Sequence, residues 1–370
     1  MLAPTSGAIG STTVKLSAWG WSPFFQQRFE QLGDPSLVPA RVVRVDRGAA
    51  RLVTEAGQRR ATGTVRRSSG EDGSDGPSIW AVGDWCAVTP GHEADPVRVE
   101  AILPRRSHFL RKAAGRAVGA QLVAANIDLV FVVTDLAADF NTRRLERLMT
   151  LTWDGGARPV VVLNKADLCD QLDRRRLQAE AVAAGTSVLV TSALDMQGLD
   201  ELHATIGAGA TVAFIGSSGV GKSALINGLL GRQRLRTGSV RSRDGRGTHT
   251  TSSGQLIRLP TGGILVDTPG MREVAMWAGE AALGATFSEI DELAVDCRFG
   301  DCTHQSEPGC AVRLAVEQGA VPAARLASFH KLHRELLSEA RRRDEHLRRQ
   351  HERKTYAHYR RCARLKRGMS

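Results

Sequence analysis

The string GSSGVGKS at residues 216–223 sets Gly216, Gly221, Lys222 and Ser223 in the spacing G-x-x-x-x-G-K-S. An apolar run, TVAFI, precedes it and the helix-forming stretch KSALINGLLG ends it. The string therefore occupies the strand-to-helix turn that phosphate binding requires. Glycine lets the main chain close around phosphate oxygens. The N–H groups of Gly216, Ser217, Ser218, Gly219, Val220 and Gly221, with the helix N-terminus behind them, then meet negative charge. Lys222 is expected at the β- and γ-phosphates and Ser223 on Mg²⁺.

A second string, NKAD at residues 164–167, follows the apolar run PVVVL. A carboxylate at Asp167 can accept from N1–H and the 2-amino group of guanine, and adenine offers neither donor there. Asn164 is expected to brace the phosphate loop and the base, and the stem of Lys165 to cover the ring. The tripeptide TSA at 191–193 ends the next apolar run. Its Ser192–Ala193 backbone can give an N–H to guanine O6. At 267–270 stands DTPG, again at the end of an apolar run. Asp267 can hold Mg²⁺ through water, and the Gly270 N–H can sense the γ-phosphate. Between lies RDGRGTHTTSSGQL, residues 243–256, the expected switch. Thr250 or Thr251 is its Mg²⁺ and γ-phosphate ligand, with Thr251 favoured. Met271 follows DTPG, where many small GTPases carry a glutamine that orients the attacking water. Methionine has no such donor, so unstimulated hydrolysis is expected to be slow. His249 is a candidate for the missing group.

These motifs run in an unusual order: guanine reader, O6 loop, phosphate loop, switch, DTPG. That is a circular permutation of a GTPase domain, tolerated when the original termini lie close together. It leaves the switch segments at the domain's C-terminal end, joined directly to a cysteine-rich region. That region contains CRFGDCTHQSEPGC, with Cys297, Cys302, His304 and Cys310 spaced C-x4-C-x-H-x5-C. Three thiolates and one imidazole satisfy tetrahedral Zn²⁺ with no open position, so one structural zinc is expected. Such a closed set argues against a zinc hydrolase.

The elements that must position these groups read as three parts. Residues 1–35 carry little pattern and are expected to be a loose tail. From 36 to 108 short alternating segments such as VPARVVRVD, AARLVTEA and WCAVTPG point to a small β-barrel of OB type. Trp80 and Trp85 in it are read as packing residues rather than base-stacking platforms. Residues 109–122 form a basic linker. From 123 to 275 apolar runs alternate with helical stretches, the pattern of a mostly parallel sheet covered by helices. Residues 276–370 read as a helical zinc-binding domain ending in a long arginine-rich helix.

The chain has 370 residues and a net charge of +11. Residues 331–370 alone hold 14 Lys and Arg against 5 Asp and Glu. That asymmetry points to a polyanionic partner, nucleic acid before membrane. No apolar run reaches the ~18 residues of a membrane span, and no secretory signal is read at the N-terminus. A cytoplasmic protein is expected. The six cysteines, three of them within residues 297–310, are not a secreted disulfide framework.

With these motifs placed, the chain resembles the RsgA family of circularly permuted GTPases over residues 36–340. The strings that carry the resemblance are VGDWC, AANIDLVFVV, VVLNKADL, GSSGVGKSALIN, GTHTTS, DTPGMRE and CRFGDCTHQSEPGC. The resemblance implies an N-terminal OB-fold, a central GTPase and a zinc-containing helical domain. It further implies a monomer that binds the 30S ribosomal subunit and its 16S rRNA late in assembly, with GTP hydrolysis stimulated by the subunit. The chain departs from the family at Thr248, where a basic residue is common, and in its basic C-terminal extension. The rival readings are a GTPase acting on another RNA such as tRNA, and a passive RNA-binding module with a structural nucleotide site.

If Asp167 reads guanine, Asp167→Asn presents an amide donor to the 2-amino group. Donor facing donor in a desolvated pocket costs about 2–4 kcal/mol, roughly thirty- to a thousand-fold in affinity. Xanthine carries an oxygen there. The variant is expected to lose GTP and gain xanthosine triphosphate in a competition binding assay. Retention of the wild-type preference for GTP would remove Asp167 from the base site.

Overall fold

The computed structural model describes residues 13–46, 49–62, 80–90, 95–112, 120–137, 140–183, 185–231, 254–268, 280–338 and 341. Two compact units divide the chain: residues 1–111 with 122–274, and residues 112–121 with 275–370.

The first unit begins with a 3-10 turn at Leu16–Trp19 and helix α1 (Pro23–Glu30). Proline at the first helical position carries no N–H that would be left unpaired there. Of the stretch expected to be a loose tail, this described part is ordered. Leu16 and Phe25 are buried. Trp21 and Phe25 close on Trp85 with ring centroids 4.7 and 5.7 Å away. Isolated aromatic residues without periodicity give no sequence signal, because their partner lies some sixty residues downstream.

Strands β1 (Val38–Asp46), β2 (Ala49–Thr54) and β3 (Gly57–Thr62) form an antiparallel meander. β4 (Trp85–Val88) pairs with β1, and β5 (Val99–Ile102) pairs with β4. A parallel bridge from Ala61 of β3 to Val97 closes the circuit. The order is thus 1-2-3-5-4-1, a closed circuit of five strands. Ala40, Val42, Leu52, Ala61, Cys86 and Val88 fill it, the inward halves of alternating strands. Trp80 and Trp85 are both buried. β6 (His108–Lys112) and β7 (Ala120–Ala125) pair as a two-stranded ribbon, so the ends of the supposed basic linker are strand. Its basic residues mask the extended pattern.

Beyond the ribbon come β8 (Leu129–Asp135), α2 (Thr142–Asp154), β9 (Arg158–Asn164), α3 (Leu172–Val182) and β10 (Val188–Val190). α4 (Leu199–Thr205), β11 (Thr211–Ile215), α5 (Lys222–Leu230), β12 (Gly254–Arg258) and β13 (Ile264–Asp267) complete the unit. Strands β10, β9, β8, β11 and β13 are parallel neighbours in that order, and β12 hairpins antiparallel onto β13. β8 and β11 are buried along their whole length, as the continuous apolar runs of a covered parallel sheet require.

The barrel and this sheet are continuous. β1 pairs with β4 through Val38–Arg41 and with β12 at Arg44 and Val45. An irregularity between Val42 and Arg44, seen in the β2 register, lies where β1 changes partner. Arg41 is fully buried at this junction. Its guanidinium donates to the Trp19 carbonyl, to Thr211 Oγ1 at 2.8 Å and to the Asn126 carbonyl at 3.4 Å, and lies 5.4 Å from the Trp85 ring. Burial lowers its pKa to about 10, with Asp128 and Asp84 pulling the other way. It remains charged at neutral pH.

In the second unit α6 (Glu280–Thr286), α7 (Ser288–Ala294) and α8 (Ala311–Glu317) precede a last helix, α9, described over residues 323–338. Buried Arg325 donates to Glu289 Oε1 at 2.5 Å and to the Thr286 carbonyl at 2.6 Å, and stacks 4.2 Å from the Phe287 ring. The continuation of the arginine-rich helix beyond residue 341 lies outside the described residues.

Arg41→Leu removes the donor for three oxygens around the junction of barrel and sheet. Stranding buried acceptors there is expected to cost about 2–4 kcal/mol, read as a lower urea midpoint. Wild-type stability in this variant would show that packing alone joins barrel and sheet.

Candidate functional site

Because β8, β9, β10, β11 and β13 are parallel, their C-terminal ends share one edge of the sheet, where open α/β sheets bind ligands. Asp135, Asn164, Thr191, Gly216 and Asp267 stand at those ends. The reversed order of motifs along the chain does not disturb this edge.

The phosphate loop leaves β11 through Gly216 (φ 142°) and enters α5 through Gly221 (φ 97°). Side chains are excluded at both. A Cβ on Gly216 would lie 2.2 Å from the Val133 carbonyl, and one on Gly221 would lie 2.1 Å from Asn164 Nδ2. Lys222 is buried, and its ammonium donates to the carbonyls of Gly216 (2.7 Å) and Ser217. It thus lies folded back over the loop that it would share with phosphates. Ser218 and Gly219 are exposed at the tip.

The guanine-reading strings meet around Asn164, which is buried. Its Nδ2 donates to the Val220 carbonyl at 2.8 Å, and its Oδ1 accepts from Thr191 Oγ1 at 3.1 Å. The Ala193 N–H reaches the same oxygen at 3.3 Å, a long bond at the weak end of the range. One side chain therefore ties the NKAD, TSA and phosphate loops together. Lys165 turns the chain in the left-handed region (φ 63°), uncommon for a residue with a Cβ. That turn sends Asp167 outward, where it is exposed and accepts from Ser192 Oγ at 2.6 Å. Asp267 accepts from Gln255 Nε2 at 3.2 Å across the β12–β13 hairpin. His249, Thr250, Thr251, Gly270 and Met271 lie outside the described residues.

Two residues at this edge carry no motif in the sequence. Asp135, at the end of β8, is buried; it pairs with the Lys165 ammonium and accepts from the Ala137 N–H at 2.6 Å. Arg144, in the first turn of α2, donates to Ser217 Oγ at 2.7 Å. Both act on residues far away in the sequence. Only an acidic residue ending an apolar run, the TD of VVTD, could have flagged the first.

In the second unit the ligand atoms of Cys297, Cys302, His304 and Cys310 all lie within 4.8 Å of one another. Cys297 Sγ and Cys310 Sγ are 3.9 Å apart, and His304 Nδ1 lies 3.6 and 3.5 Å from them. Zinc at the usual ~2.3 Å from sulfur and ~2.0 Å from nitrogen separates tetrahedral ligands by about 3.5–3.8 Å. The cluster fits one structural zinc, with Nδ1 as the imidazole ligand. No described cysteine is in a disulfide. Desolvation pushes the Cys302 thiol up to about 11, and the neighbouring sulfurs add to it. Desolvation also raises Cys297, but N–H donors of Val312 and Ala311 outweigh it and lower that thiol. Sulfurs this close resist joint ionisation until a divalent cation balances them. Cys310 also caps α8, accepting from the Arg313 N–H at 3.4 Å.

Glu307 holds the loop between ligands. Its carboxylate accepts from the N–H groups of Thr303 (3.0 Å), Gln305 (2.9 Å) and Ser306 (3.0 Å) and from the Thr303 hydroxyl at 2.5 Å. The Thr303 hydroxyl bond leads in drawing its pKa down to about 2. His304 adopts φ 59°, and its carbonyl lies 3.3 Å from His330 Nε2 on α9.

Fold and site define a phosphate-loop protein of permuted motif order with a cysteine–histidine cluster in its second unit that fits a metal. The RsgA GTPase family matches residues 102–277. The chain is 47% identical over 296 residues to the Small ribosomal subunit biogenesis GTPase RsgA 2 of Lactiplantibacillus plantarum, covering 80% of this chain and 82% of that one. It is 40% identical over 337 residues to the Small ribosomal subunit biogenesis GTPase RsgA of Streptomyces avermitilis, covering 90% and 89%. Among solved structures, YjeQ from Thermotoga maritima superposes with a TM-score of 0.61 at 26% identity, covering 81% of this chain and 99% of that one. YloQ, a circularly permuted GTPase, gives a TM-score of 0.59 at 22% identity over 82% and 96%, a likeness of fold. The chain belongs to the RsgA GTPase family.

One zinc per chain is expected by metal analysis of protein purified without chelator, and Cys297→Ser should lose it. Glu307→Gln keeps all four ligands but weakens the loop that carries His304. Zinc loss to a chelator should then be about 10–100-fold easier, the usual consequence of removing a partner just outside the ligand shell. Wild-type retention would place Glu307 outside the zinc site's support.

Proposed function

We propose that this chain hydrolyses GTP on the small ribosomal subunit and uses the reaction as a switch in late subunit maturation and in its own release. The carrying observation is the set of loops held together by Asn164 at one sheet edge, in a chain of the RsgA GTPase family. Two relatives that bear the name of small ribosomal subunit biogenesis support the choice of partner.

In this reading Asp167 takes the guanine N1–H and 2-amino group. The Lys165 stem covers the ring, and the Ala193 N–H turns from Asn164 to O6. The loop N–H groups of residues 216–221 hold the phosphates. Lys222 leaves its two carbonyls for the β- and γ-phosphates, exchanging weak acceptors for charged ones. Ser223, Thr251 and Asp267 would hold Mg²⁺. Bound there, Mg²⁺ would supply charge stabilisation between the β- and γ-phosphates. Gly270 senses the γ-phosphate, and His249 serves the attacking water on the subunit. The zinc centre holds the second unit's fold and takes no part in hydrolysis, since its four protein ligands leave no position for water. The protein acts as a monomer in the cytoplasm and contacts 16S rRNA directly.

Purified small subunits are expected to stimulate GTP turnover, and large subunits or tRNA are not. Lys222→Ala should lose about a hundredfold or more of the stimulated rate, with unchanged melting temperature. Stimulation by tRNA alone would move the proposal to another RNA. Turnover that no ribosomal particle changes would leave a passive binding module.

A further inference from the structure

Three strands end side by side at the nucleotide edge, and the middle one carries no motif. β9 delivers the NKAD string, β11 delivers the phosphate loop, and β8 lies between them. Asp135, the last residue of β8, pairs in register with Asn164. On the other side Ile215, at the end of β11, pairs with Val132, and a Cβ on Gly216 would lie 2.2 Å from the Val133 carbonyl. Neighbouring strands stand about 4.8 Å apart. A nucleotide whose base meets one loop and whose phosphates meet the other therefore crosses the end of β8. Asp135 stands at that crossing.

Asp135 is 4% exposed. A carboxylate buried to that degree needs donors and counter-charge. Its two oxygens are divided between two tasks. Oδ1 accepts from the Ala137 N–H at 2.6 Å, which closes the turn after β8. Oδ2 takes the Lys165 ammonium. The turn asks only for an acceptor, which an amide would also supply. The charge serves Lys165. That lysine's side chain is 31% exposed and its backbone turns at φ 63°. Untethered beside solvent, its four-carbon stem would spread over many rotamers. Tethered at Asp135, the stem runs from the end of β9 to the end of β8, on the way from the base loop to the phosphate loop.

We propose that Asp135 is a positioning residue for guanine nucleotides, holding the Lys165 ammonium so that the lysine stem is laid out against base and sugar before the nucleotide arrives. Order present before binding is order that binding need not create. Asp135 acts through Lys165 rather than on the nucleotide itself. Its effect is therefore on affinity. The choice of base falls to Asp167, and hydrolysis falls to Lys222 and the magnesium ligands. GTP and GDP share base and sugar, so both gain equally. This rests on the guanine-site reading above and adds to it a residue that sets how tightly the site holds either nucleotide.

The test uses the full chain, with affinities for GDP and a non-hydrolysable GTP analogue from calorimetry and turnover measured with purified small subunits. Asp135→Asn keeps an acceptor for Ala137 and removes the charge. It should weaken both nucleotides by the same factor, about tenfold. KM for GTP should rise while kcat at saturating GTP is undiminished. The preference for GTP over inosine triphosphate, which lacks the 2-amino group, should stay at the wild-type ratio. Lys165→Met keeps an unbranched stem without the ammonium and should lose a similar factor. Adding Asp135→Asn to it should cost nothing more, because the two residues act as one contact. A merely structural Asp135 would instead lower the melting temperature and leave the affinity of folded protein unchanged. That outcome, a second tenfold loss in the double variant, or a fall in kcat with KM intact would each overturn the proposal. Should Asp135→Asn not fold, Lys165→Met decides, and undiminished affinity in it overturns the proposal. A wild-type chain that binds adenine nucleotides as tightly as guanine nucleotides overturns the guanine-site reading instead.

Discussion

The hydrogen bond from Asn164 Nδ2 to the Val220 carbonyl is the link on which the site depends. In this chain the guanine loop and phosphate loop come from separate βα units in reversed order. No local sequence signal holds them at the spacing of one nucleotide. The bond needs an asparagine with no Cβ opposite it, and Gly221 supplies that, since a side chain there would meet Nδ2 at 2.1 Å. Asn164 Oδ1 then gathers the O6 loop through Thr191. The NKAD, TSA and phosphate loops are thereby tied together, and circular permutation is tolerated because parallel strands carry the loops to the same edge whatever their order.

The second constraint is the sharing of β1. Its nine residues close the barrel on one side and extend the nucleotide sheet on the other. Here β1 lies beside β12, whose partner β13 ends in Asp267. Arg41 adds a link to Thr211, the first residue of the strand that leads into the phosphate loop. One strand, β12, therefore separates the barrel's β1 from the strand that ends in Asp267. The motif order points instead to the cysteine-rich region as the receiver of nucleotide state. The segment that would carry that signal, residues 269–279, lies outside the described residues.

The metal centre obeys a different logic. Its second unit has few long apolar elements, and helices α6, α7 and α8 have seven residues each. Such short helices are marginal alone. The Arg325–Glu289 pair and the Phe287–Phe329 contact, with ring centroids 5.6 Å apart, join helices at one side. The zinc cluster, with Glu307 pinning its loop, adds cross-links next to that contact, His304 lying 6.1 Å from the Phe329 ring.

Sequence alone determined the chemistry. GSSGVGKS, NKAD and the C-x4-C-x-H-x5-C string each demand particular residue types at short spacing, so a single window of sequence holds the whole requirement. It also determined the parallel sheet, because covered strands need continuous apolar runs, and the barrel, because half-covered strands alternate. Tertiary structure decided what depends on register and long-range pairing. Residues 13–35 are held by partners far along the chain, Trp21 and Phe25 by Trp85 and the Trp19 carbonyl by Arg41. The service of Asp135 to Lys165 and of Arg144 to Ser217 crosses between elements. The fusion of barrel and GTPase into one sheet follows from where β1 changes partner. Strand pairing alone brings Arg44, Arg51 and Arg60 side by side. Each of these is a distance in space between residues far apart in sequence, and nothing within a local window encodes it.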